Sequence, residues 1–311
     1  MKQGHIPPDD SRQQEQQLAA LVQGLDTPAD FIRWGGSAFA AAGVHCGHGF
    51  ESVLDEAYYL VRDALNLPHD CPTVYLQARL LEQERQTCAE RLLLRMQSRL
   101  PAAYITHEAW FAGLSFYVDP RVLIPRSPLA ELIDQACAPW VTEPPARILD
   151  LCCGSGCIGL AAAAVFEDAE VVLADLSDDA LAVAQINIDR LGLEDRAHTV
   201  RSDLFGALGG QRFDLILSNP PYVPRAEVDA LPPEYAHEPR MGLESGDDGL
   251  LHPRQIIEQA RAHLSEDGVL IGEVGAWWPE LDAAFPDVPL VWLELEQGGE
   301  GVFAVRAQDL P

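Results

Sequence analysis

The sequence has 311 residues, of which 48% are hydrophobic and 22% are charged, so it can bury the cores of about two domains. No apolar run approaches the roughly 20 residues of a membrane-spanning helix, and we therefore expect no membrane segment. Asp and Glu number 48 against 21 Lys and Arg, which gives a net charge of −27. This charge disfavours direct binding to DNA or RNA phosphates and favours a basic protein partner.

The N-terminal third is predicted to be helical. Residues 1–10 lack the pattern of a signal peptide and predict a loose tail. Seven irregularly spaced cysteines do not predict a disulfide framework, which favours a reducing, cytoplasmic location. Residues 27–30, Thr-Pro-Ala-Asp, combine a cap residue with a first-turn proline, and Glu51–Leu67 has helical apolar spacing. Pro72–Leu100 predicts one long helix or a broken pair of helices.

The pattern then changes to short extended pieces. Residues 109–118 predict a hairpin around a glycine turn, Arg121–Ile124 predicts another extended piece, and Leu129–Ala138 predicts a helix. The prolines of 139–145 are typical of a linker. We therefore expect three regions: a helical N-terminal domain (1–100), a hairpin and linker region (101–145), and an α/β domain (146–311).

Strand and helix patterns alternate in the α/β domain. Helical patterns separate the first five predicted strands, which is typical of a parallel sheet covered by helices on both faces. The segment between the last two strands is too short for a crossover helix, so we expect these two strands to form an antiparallel hairpin. The seven predicted strands are Arg147–Leu151, Glu170–Ala174, Thr199–Ser202, Phe213–Ser218, Gly268–Val274, Leu290–Glu296 and Val302–Arg306.

A glycine-rich loop follows the first strand. Gly154, Gly156 and Gly159 match the spacing G-x-G-x-x-G, and Asp175 ends the second strand near the position that binds a ribose. Taken alone, the loop is compatible with a nicotinamide or flavin dinucleotide, or with a glycine turn that binds nothing.

Acidic residues near the strand ends help to choose between these ligands. Asp150, Asp175 and Asp203 are predicted to lie at or just beyond the carboxyl ends of three strands, along one edge of the sheet. A dinucleotide would bring a negative pyrophosphate close to Asp150. S-adenosylmethionine has no phosphate and carries two cationic groups and a ribose diol. The three carboxylates therefore favour S-adenosylmethionine.

The fourth predicted strand ends in the sequence Ser218-Asn219-Pro220-Pro221-Tyr222. Prolines have no N–H group and a fixed φ, so this stiff segment offers carbonyl oxygens alone. The side chain of Asn219 and the carbonyl of Pro220 are suited to accept both hydrogens of a planar NH₂ group, and Tyr222 can cover its face. The alternative is an ordinary Pro-Pro turn at a strand exit.

Three segments carry a resemblance to a known family. They are the Asn-Pro-Pro-Tyr sequence at 219–222, residues 117–128 (Tyr-Val-Asp-Pro-Arg-Val-Leu-Ile-Pro-Arg-Ser-Pro), and residues 237–250 (His-Glu-Pro-Arg-Met-Gly-Leu-Glu-Ser-Gly-Asp-Asp-Gly-Leu). From about residue 20 to 306 the chain resembles the protein-(glutamine-N5) methyltransferases. Within that family it is most similar to the branch that methylates protein three of the large ribosomal subunit. The release-factor branch usually has an acidic continuation after the Pro-Arg pair and a Gly-Gly in place of Ser245-Gly246.

The resemblance implies a class I S-adenosylmethionine-dependent methyltransferase fold, which is Rossmann-like with a seven-stranded sheet, and a helical N-terminal domain that recognises substrate. It implies that Asp150 and the loop Cys152, Cys153, Gly154, Ser155 and Gly156 contact S-adenosylmethionine, that Asp175 binds its ribose, and that Asp203 and Leu204 border its adenine. Asn219 would also border the cofactor, and Asn219, Pro220, Pro221 and Tyr222 would hold the substrate glutamine. Cys153 replaces the family's usual threonine and lacks its hydroxyl.

The expected activity is methylation of a glutamine side chain on free ribosomal protein three, with methylation of peptide-chain release factors as the alternative. A second alternative is DNA adenine methylation, which uses the same cradle for another NH₂ group, but the acidic charge disfavours it. Residues 223–249 predict a lid that helps to hold the acceptor peptide. No metal is expected, because His45-Cys46-Gly47-His48 lacks a second ligand pair.

Overall fold

The computed structural model describes residues 8–68, 70–296 and 298–311, with side chains from Glu15 onward. The chain divides into two compact units, one ending at Thr106 and the other beginning at His107. This boundary lies within the hairpin and linker region expected at 101–145. Within the described part of the chain, none of the helices has the length and hydrophobicity of a membrane-spanning segment.

The first unit is helical, as expected. Its helices are α1 (Pro8–Gly24), α2 (Pro28–Ala41), α3 (Val53–Ala64), α4 (Glu82–Ser98) and α5 (Ala102–Thr106). The predicted tail differs from the structure, because α1 already begins at Pro8; residues 1–7 lie outside the described part. The segment Pro72–Leu100 is broken, with a 3₁₀ turn at Thr73–Gln77 before α4.

Caps and close packing define these helices. The Thr27 hydroxyl accepts a hydrogen bond from the Asp30 N–H (3.2 Å), and the Asp30 carboxylate accepts one from the Thr27 N–H (3.0 Å), which completes a capping box at the start of α2. A Cβ at Gly35 would lie 2.9 Å from a Leu92 methyl group, so the missing side chain at residue 35 leaves room for Leu92 where α2 packs against α4.

The second unit begins with the predicted hairpin, β1 (Ala109–Phe111) and β2 (Leu114–Phe116), followed by α6 (Leu129–Asp134). Arg121–Ile124 forms no strand, and α6 is shorter than predicted. Phe111, Phe116 and Leu129 are buried in the core beside the sheet, and this packing joins the hairpin to the α/β unit.

The remaining strands form the predicted seven-stranded sheet, in the order β5-β4-β3-β6-β7-β9-β8. Strands β3 to β7 run parallel, and β9 is antiparallel to both β7 and β8. This arrangement confirms the expected Rossmann-like fold with an antiparallel terminal hairpin. The strands are β3 (Arg147–Leu151), β4 (Glu170–Asp175), β5 (Ala197–Arg201), β6 (Phe213–Ser218), β7 (Leu264–Glu273), β8 (Val291–Trp292) and β9 (Val302–Arg306).

Helices α7 to α11 are Cys157–Val165, Asp178–Leu191, Arg225–Val228, Leu251–Ala260 and Trp278–Ala284. The prediction of a helix between every pair of the first five strands was wrong at one place, since β5 and β6 are joined by turns. Large hydrophobic clusters cover both faces of the sheet. The central strands are therefore buried on both sides, as parallel strands require.

The strand order reverses between β3 and β6. The chain moves outward from β3 through β4 to β5 and then returns to place β6 on the other side of β3. Leu151 pairs with Ser218 at the ends of these two strands. The glycine-rich loop and the Asn-Pro-Pro-Tyr segment therefore leave the sheet side by side, at the switch point where α/β folds bind ligands.

Candidate active site

The loop after β3 adopts left-handed backbone conformations at three positions. The φ angles are +63° at Cys152, +53° at Gly154 and +78° at Gly156, where α7 begins. Glycine adopts such values at little cost, whereas at Cys152 they indicate local strain of the kind found at functional sites. The Gly154 N–H donates to Asp175 Oδ2 (2.9 Å) and so links the loop to the end of β4.

Asp150 lies behind this loop. It is fully buried, and its Oδ2 accepts a hydrogen bond from the Gly159 N–H (2.7 Å) in the first turn of α7. Its Oδ1 has no hydrogen-bond partner among the described residues. Burial, with a smaller contribution from the negative charge of Asp175, raises the pKa of Asp150 to about 7. Asp150 lines neither of the cavities described next, so it supports the loop and does not lie on the crevice edge as the sequence suggested.

A first cavity, with about 720 Å³ of space including open solvent, lies beside the loop. The sequence-predicted residues that line it are Cys152, Gly154, Asp175, Asp203, Leu204, Asn219 and Pro221. Asp175 also accepts from the Ser177 N–H (2.9 Å). Burial raises the pKa of Asp175, although the backbone N–H donors oppose this effect. The cavity thus combines apolar walls with a partly buried carboxylate.

A second cavity, with about 1060 Å³ of space including open solvent, also borders the loop. The predicted residues along it are Cys152, Cys153, Gly154, Ser155, Asn219, Pro220 and Tyr222. Of the predicted loop residues, Gly156 lines neither cavity; a Cβ there would lie 2.9 Å from a Leu173 methyl group, so this glycine permits the turn into α7.

The two cavities meet at the Asn-Pro-Pro-Tyr segment. The Ser218 hydroxyl donates to the Leu151 carbonyl (2.7 Å) and fixes the strand ends from which the segment leaves. Asn219 lines both cavities, and within the described residues its side chain has no hydrogen-bond partner. Pro220 is buried. The segment therefore presents an unused amide side chain where the two cavities join.

The Tyr222 ring is held from two directions. Its hydroxyl donates to Glu273 Oε1 (3.0 Å) at the end of β7. A Cβ at Gly275 would lie 3.1 Å from the ring, so glycine there leaves room for it. Burial and the neighbouring negative charge of Glu273 raise the pKa of the Tyr222 hydroxyl, which keeps it protonated.

Sequence reasoning assigned no role to Glu273 or Ser127, which both line the second cavity. Glu273 is 5% exposed, and its Oε2 accepts a hydrogen bond from the Ser127 hydroxyl (2.5 Å). Ser127 belongs to a segment that carried the family resemblance, and this membership was the only sequence signal for it.

A partly buried ion pair joins two of the segments that resemble the family. Arg126 donates two hydrogen bonds to the carboxylate of Glu238 (2.6 and 2.8 Å), and Glu238 also accepts from the Ile124 N–H (3.0 Å). Asn187 makes a similar link, because its amide donates to the Tyr117 and Ser155 carbonyls (3.0 and 2.9 Å). Both interactions position chain segments that border the cavities.

The predicted lid, residues 223–249, is tied to itself through a short bridge. Val223 donates to the Leu243 carbonyl (2.8 Å), and Ser245 donates to the Val223 carbonyl (2.9 Å). The segment contributes Gly242 to both cavities and Tyr235 to the second. It forms part of the walls on each side, and its movement as a lid stays a prediction.

Curated proteins resemble this chain over almost all of its length. The model of the methyltransferase small domain matches residues 133–232. A curated protein of Francisella tularensis subsp. tularensis named ribosomal protein uL3 glutamine methyltransferase is 46% identical over 300 residues, covering 96% of this chain and 95% of that protein. One of the same name from Xanthomonas campestris pv. campestris is 47% identical, covering 94% and 95%.

Among solved structures, a methyltransferase from Pyrococcus furiosus aligns with 63% of this chain and 89% of its own, at 16% identity and a TM-score of 0.47. The two curated relatives decide the family, because their identity extends over almost the entire length of both chains. The chain belongs to the family of ribosomal protein uL3 glutamine methyltransferases.

Proposed function

We propose that this protein transfers a methyl group from S-adenosylmethionine to the side-chain amide nitrogen of a glutamine in ribosomal protein uL3. The observation that carries the proposal is the position of Asn219, whose unpartnered amide lies where two cavities meet. A transferase needs this arrangement, because donor and acceptor must reach each other from separate sites. The names of the two curated relatives support the choice of uL3.

The first cavity fits S-adenosylmethionine. Gly154 leaves open space beside the cavity, since no atom lies within 4 Å of where its Cβ would be. The Asp175 carboxylate next to it can accept hydrogen bonds from a ribose diol, and Leu204 and Asp203 border the room left for adenine. When bound, S-adenosylmethionine supplies a methyl group on a positively charged sulfur. The carboxylates of Asp175, which is partly buried, and of Asp203, which is exposed, favour this cationic molecule over a phosphate-bearing dinucleotide.

The second cavity suits the amide of the acceptor. An amide nitrogen is a poor nucleophile because its lone pair is shared with the carbonyl group. In our proposal the Asn219 side-chain oxygen and the Pro220 carbonyl accept the two N–H hydrogens, which returns electron density to nitrogen, and Tyr222 covers the face of the amide. Such positioning supplies up to ~7–11 kcal/mol of the barrier reduction in well-oriented reactions.

Free uL3, before it is covered by RNA, is the substrate form that we propose. A protein that binds ribosomal RNA is expected to be basic, and the net charge of −27 attracts such a partner while it repels nucleic acid. The same charge weighs against DNA as the acceptor. Because ribosomal proteins are made and assembled in the cytoplasm, we propose that the enzyme acts there.

A labelling experiment tests the acceptor. The full chain is incubated with tritiated S-adenosylmethionine and, separately, with free uL3, a peptide-chain release factor and duplex DNA, and mass spectrometry locates the modified residue. We expect label on a uL3 glutamine. Label on the release factor alone would reassign the substrate, and label on DNA alone would reject glutamine methylation.

Asn219→Ala tests the cradle. This substitution removes the side-chain oxygen of Asn219, which is proposed to accept a hydrogen bond from the substrate amide. It should lower kcat by ~10²–10³-fold, the usual cost of losing one positioned hydrogen-bonding group at a reacting centre. The affinity for S-adenosylmethionine, measured by calorimetry, should change little. Gln185→Ala removes an exposed amide from α8 and should leave the activity intact. Normal turnover in Asn219→Ala would contradict the role proposed for Asn219.

A further inference from the structure

Glu273 ends β7 in the wall of the proposed acceptor cavity, and the steps described so far leave its charge unused. Its two carboxylate oxygens are separately engaged: Oε1 accepts from the Tyr222 hydroxyl (3.0 Å) and Oε2 from the Ser127 hydroxyl (2.5 Å). Among the described residues that line this cavity, Glu273 is the only one with a carboxylate. A buried carboxylate beside a reacting group needs an explanation, because its burial costs free energy.

The proposed reaction creates a proton that has to leave. When the amide nitrogen bonds to the methyl carbon, the electron pair of the carbon–sulfur bond stays on sulfur, and the nitrogen carries a positive charge. Losing one N–H proton restores a neutral N-methyl amide. The oxygens of Asn219 and Pro220 can accept a hydrogen bond, but as amide oxygens they are too weakly basic to hold the proton.

The other titratable groups along the cavity are poor acceptors. Arg126 is always protonated and is paired with Glu238. Burial raises the pKa of Cys157 to about 12 and that of Cys152 and Cys153 well above the ordinary value, so the three thiols keep their protons. The phenols of Tyr222 and Tyr235 also have raised pKa values.

We propose that Glu273 accepts the proton that the glutamine nitrogen loses on methylation, by way of the Tyr222 hydroxyl. Methylation on one face makes the nitrogen tetrahedral, so an N–H bends out of the amide plane toward Tyr222 on the other face. Tyr222 gives its own proton to Glu273 Oε1 and takes this N–H proton, so it is unchanged at the end. Ser127 holds the other oxygen and leaves Oε1 for this exchange. The carboxylate charge also stabilises the positive charge that develops on nitrogen. This inference rests on the proposed function.

The groups that face Glu273 set its proton affinity. Burial raises the pKa of Glu273, whereas the hydroxyls of Ser127 and Tyr222 and the charge of Arg126 favour the ionised form. The pKa of an effective proton acceptor lies closer to neutral pH than that of an exposed carboxylate. The activity should therefore fall at low pH as Glu273 takes up a proton before the reaction.

The test measures kcat and KM with free uL3 across the pH range in which the folded protein is stable. Glu273→Gln keeps the size of the side chain and should lower kcat by roughly 10²-fold or more and remove the fall at low pH. Glu273→Asp should restore that fall and part of the rate. Ser127→Ala removes a hydrogen bond that favours the ionised form of Glu273, so the activity of this variant should begin to fall at a higher pH than that of the unaltered protein.

Each outcome is decisive. Full activity and an unchanged pH profile in Glu273→Gln would overturn the role of Glu273, whereas failure of the unaltered protein to methylate uL3 would overturn the proposed function instead. Thermal unfolding and cofactor affinity report whether each variant folds. If Glu273→Gln does not fold, Tyr222→Phe decides, because it removes the hydroxyl of the relay; normal kcat and an unchanged profile there would also reject the proposal.

Discussion

Asp150→Asn should make the folded protein more stable above neutral pH. Burial raises the pKa of Asp150 from 3.8 to about 7. The folded state therefore keeps this proton between these values, whereas the unfolded state releases it, and the free energy of unfolding falls as pH rises. The stability that the folded protein gains from keeping this proton is complete below pH 3.8 and lost above about pH 7. This difference between the pKa values in the folded and unfolded states corresponds to ~4 kcal/mol in the free energy of unfolding.

The asparagine does not ionise, and its oxygen can still accept the Gly159 N–H. Its NH₂ group would occupy the place of Oδ1, which has no hydrogen-bond partner among the described residues, at a cost of about 1–3 kcal/mol. The net gain above neutral pH is thus about 1–3 kcal/mol, measured by urea unfolding at several pH values without cofactor. Asp195→Asn, which removes an exposed charge, is the control. Parallel stability curves for Asp150→Asn and the unaltered protein would refute the reasoning.

Two further substitutions test how the site is supported. In Gly159→Ala the new Cβ would overlap a Leu173 methyl group and lie 2.7 Å from the Asp150 Cβ, so thermal unfolding should show a loss of about 1–3 kcal/mol; an unchanged midpoint would mean that α7 shifts freely. Glu238→Gln removes the charge that pairs with Arg126 and should speed proteolysis within 223–249. Cleavage at the original rate would show that this ion pair does not hold the segment.

The sheet was predictable because its signals are local. Buried strands of β-branched and aliphatic residues alternate with helices, and β3, β6 and β9 begin and end at the predicted residues. The helix expected between β5 and β6 is absent because Ser202–Gln211 forms successive turns, which include Gly206, Gly209 and Gly210. Neither a short helix nor a run of turns has a long periodic signal, and sequence patterns separate the two poorly.

The candidate site was predictable where its residues directly follow strands. Asp150 was placed on the crevice edge because it lies near a strand end, but side chains alternate along a strand, and this one faces α7. Glu273 and Ser127 are 146 residues apart, and Arg126 and Glu238 are 112 apart. Such contacts depend on tertiary folding, so no local pattern reveals them.

The junction of the two cavities has a practical consequence. Cys152, Gly154 and Asn219 border both spaces, so a single synthetic compound in which an adenosine group and a carboxamide are joined by a short bridge would span them. Tethering makes the second contact intramolecular, and the affinity would exceed that of either half alone. Such a compound would inhibit the enzyme, and it would also capture the enzyme with both sites filled for crystallography.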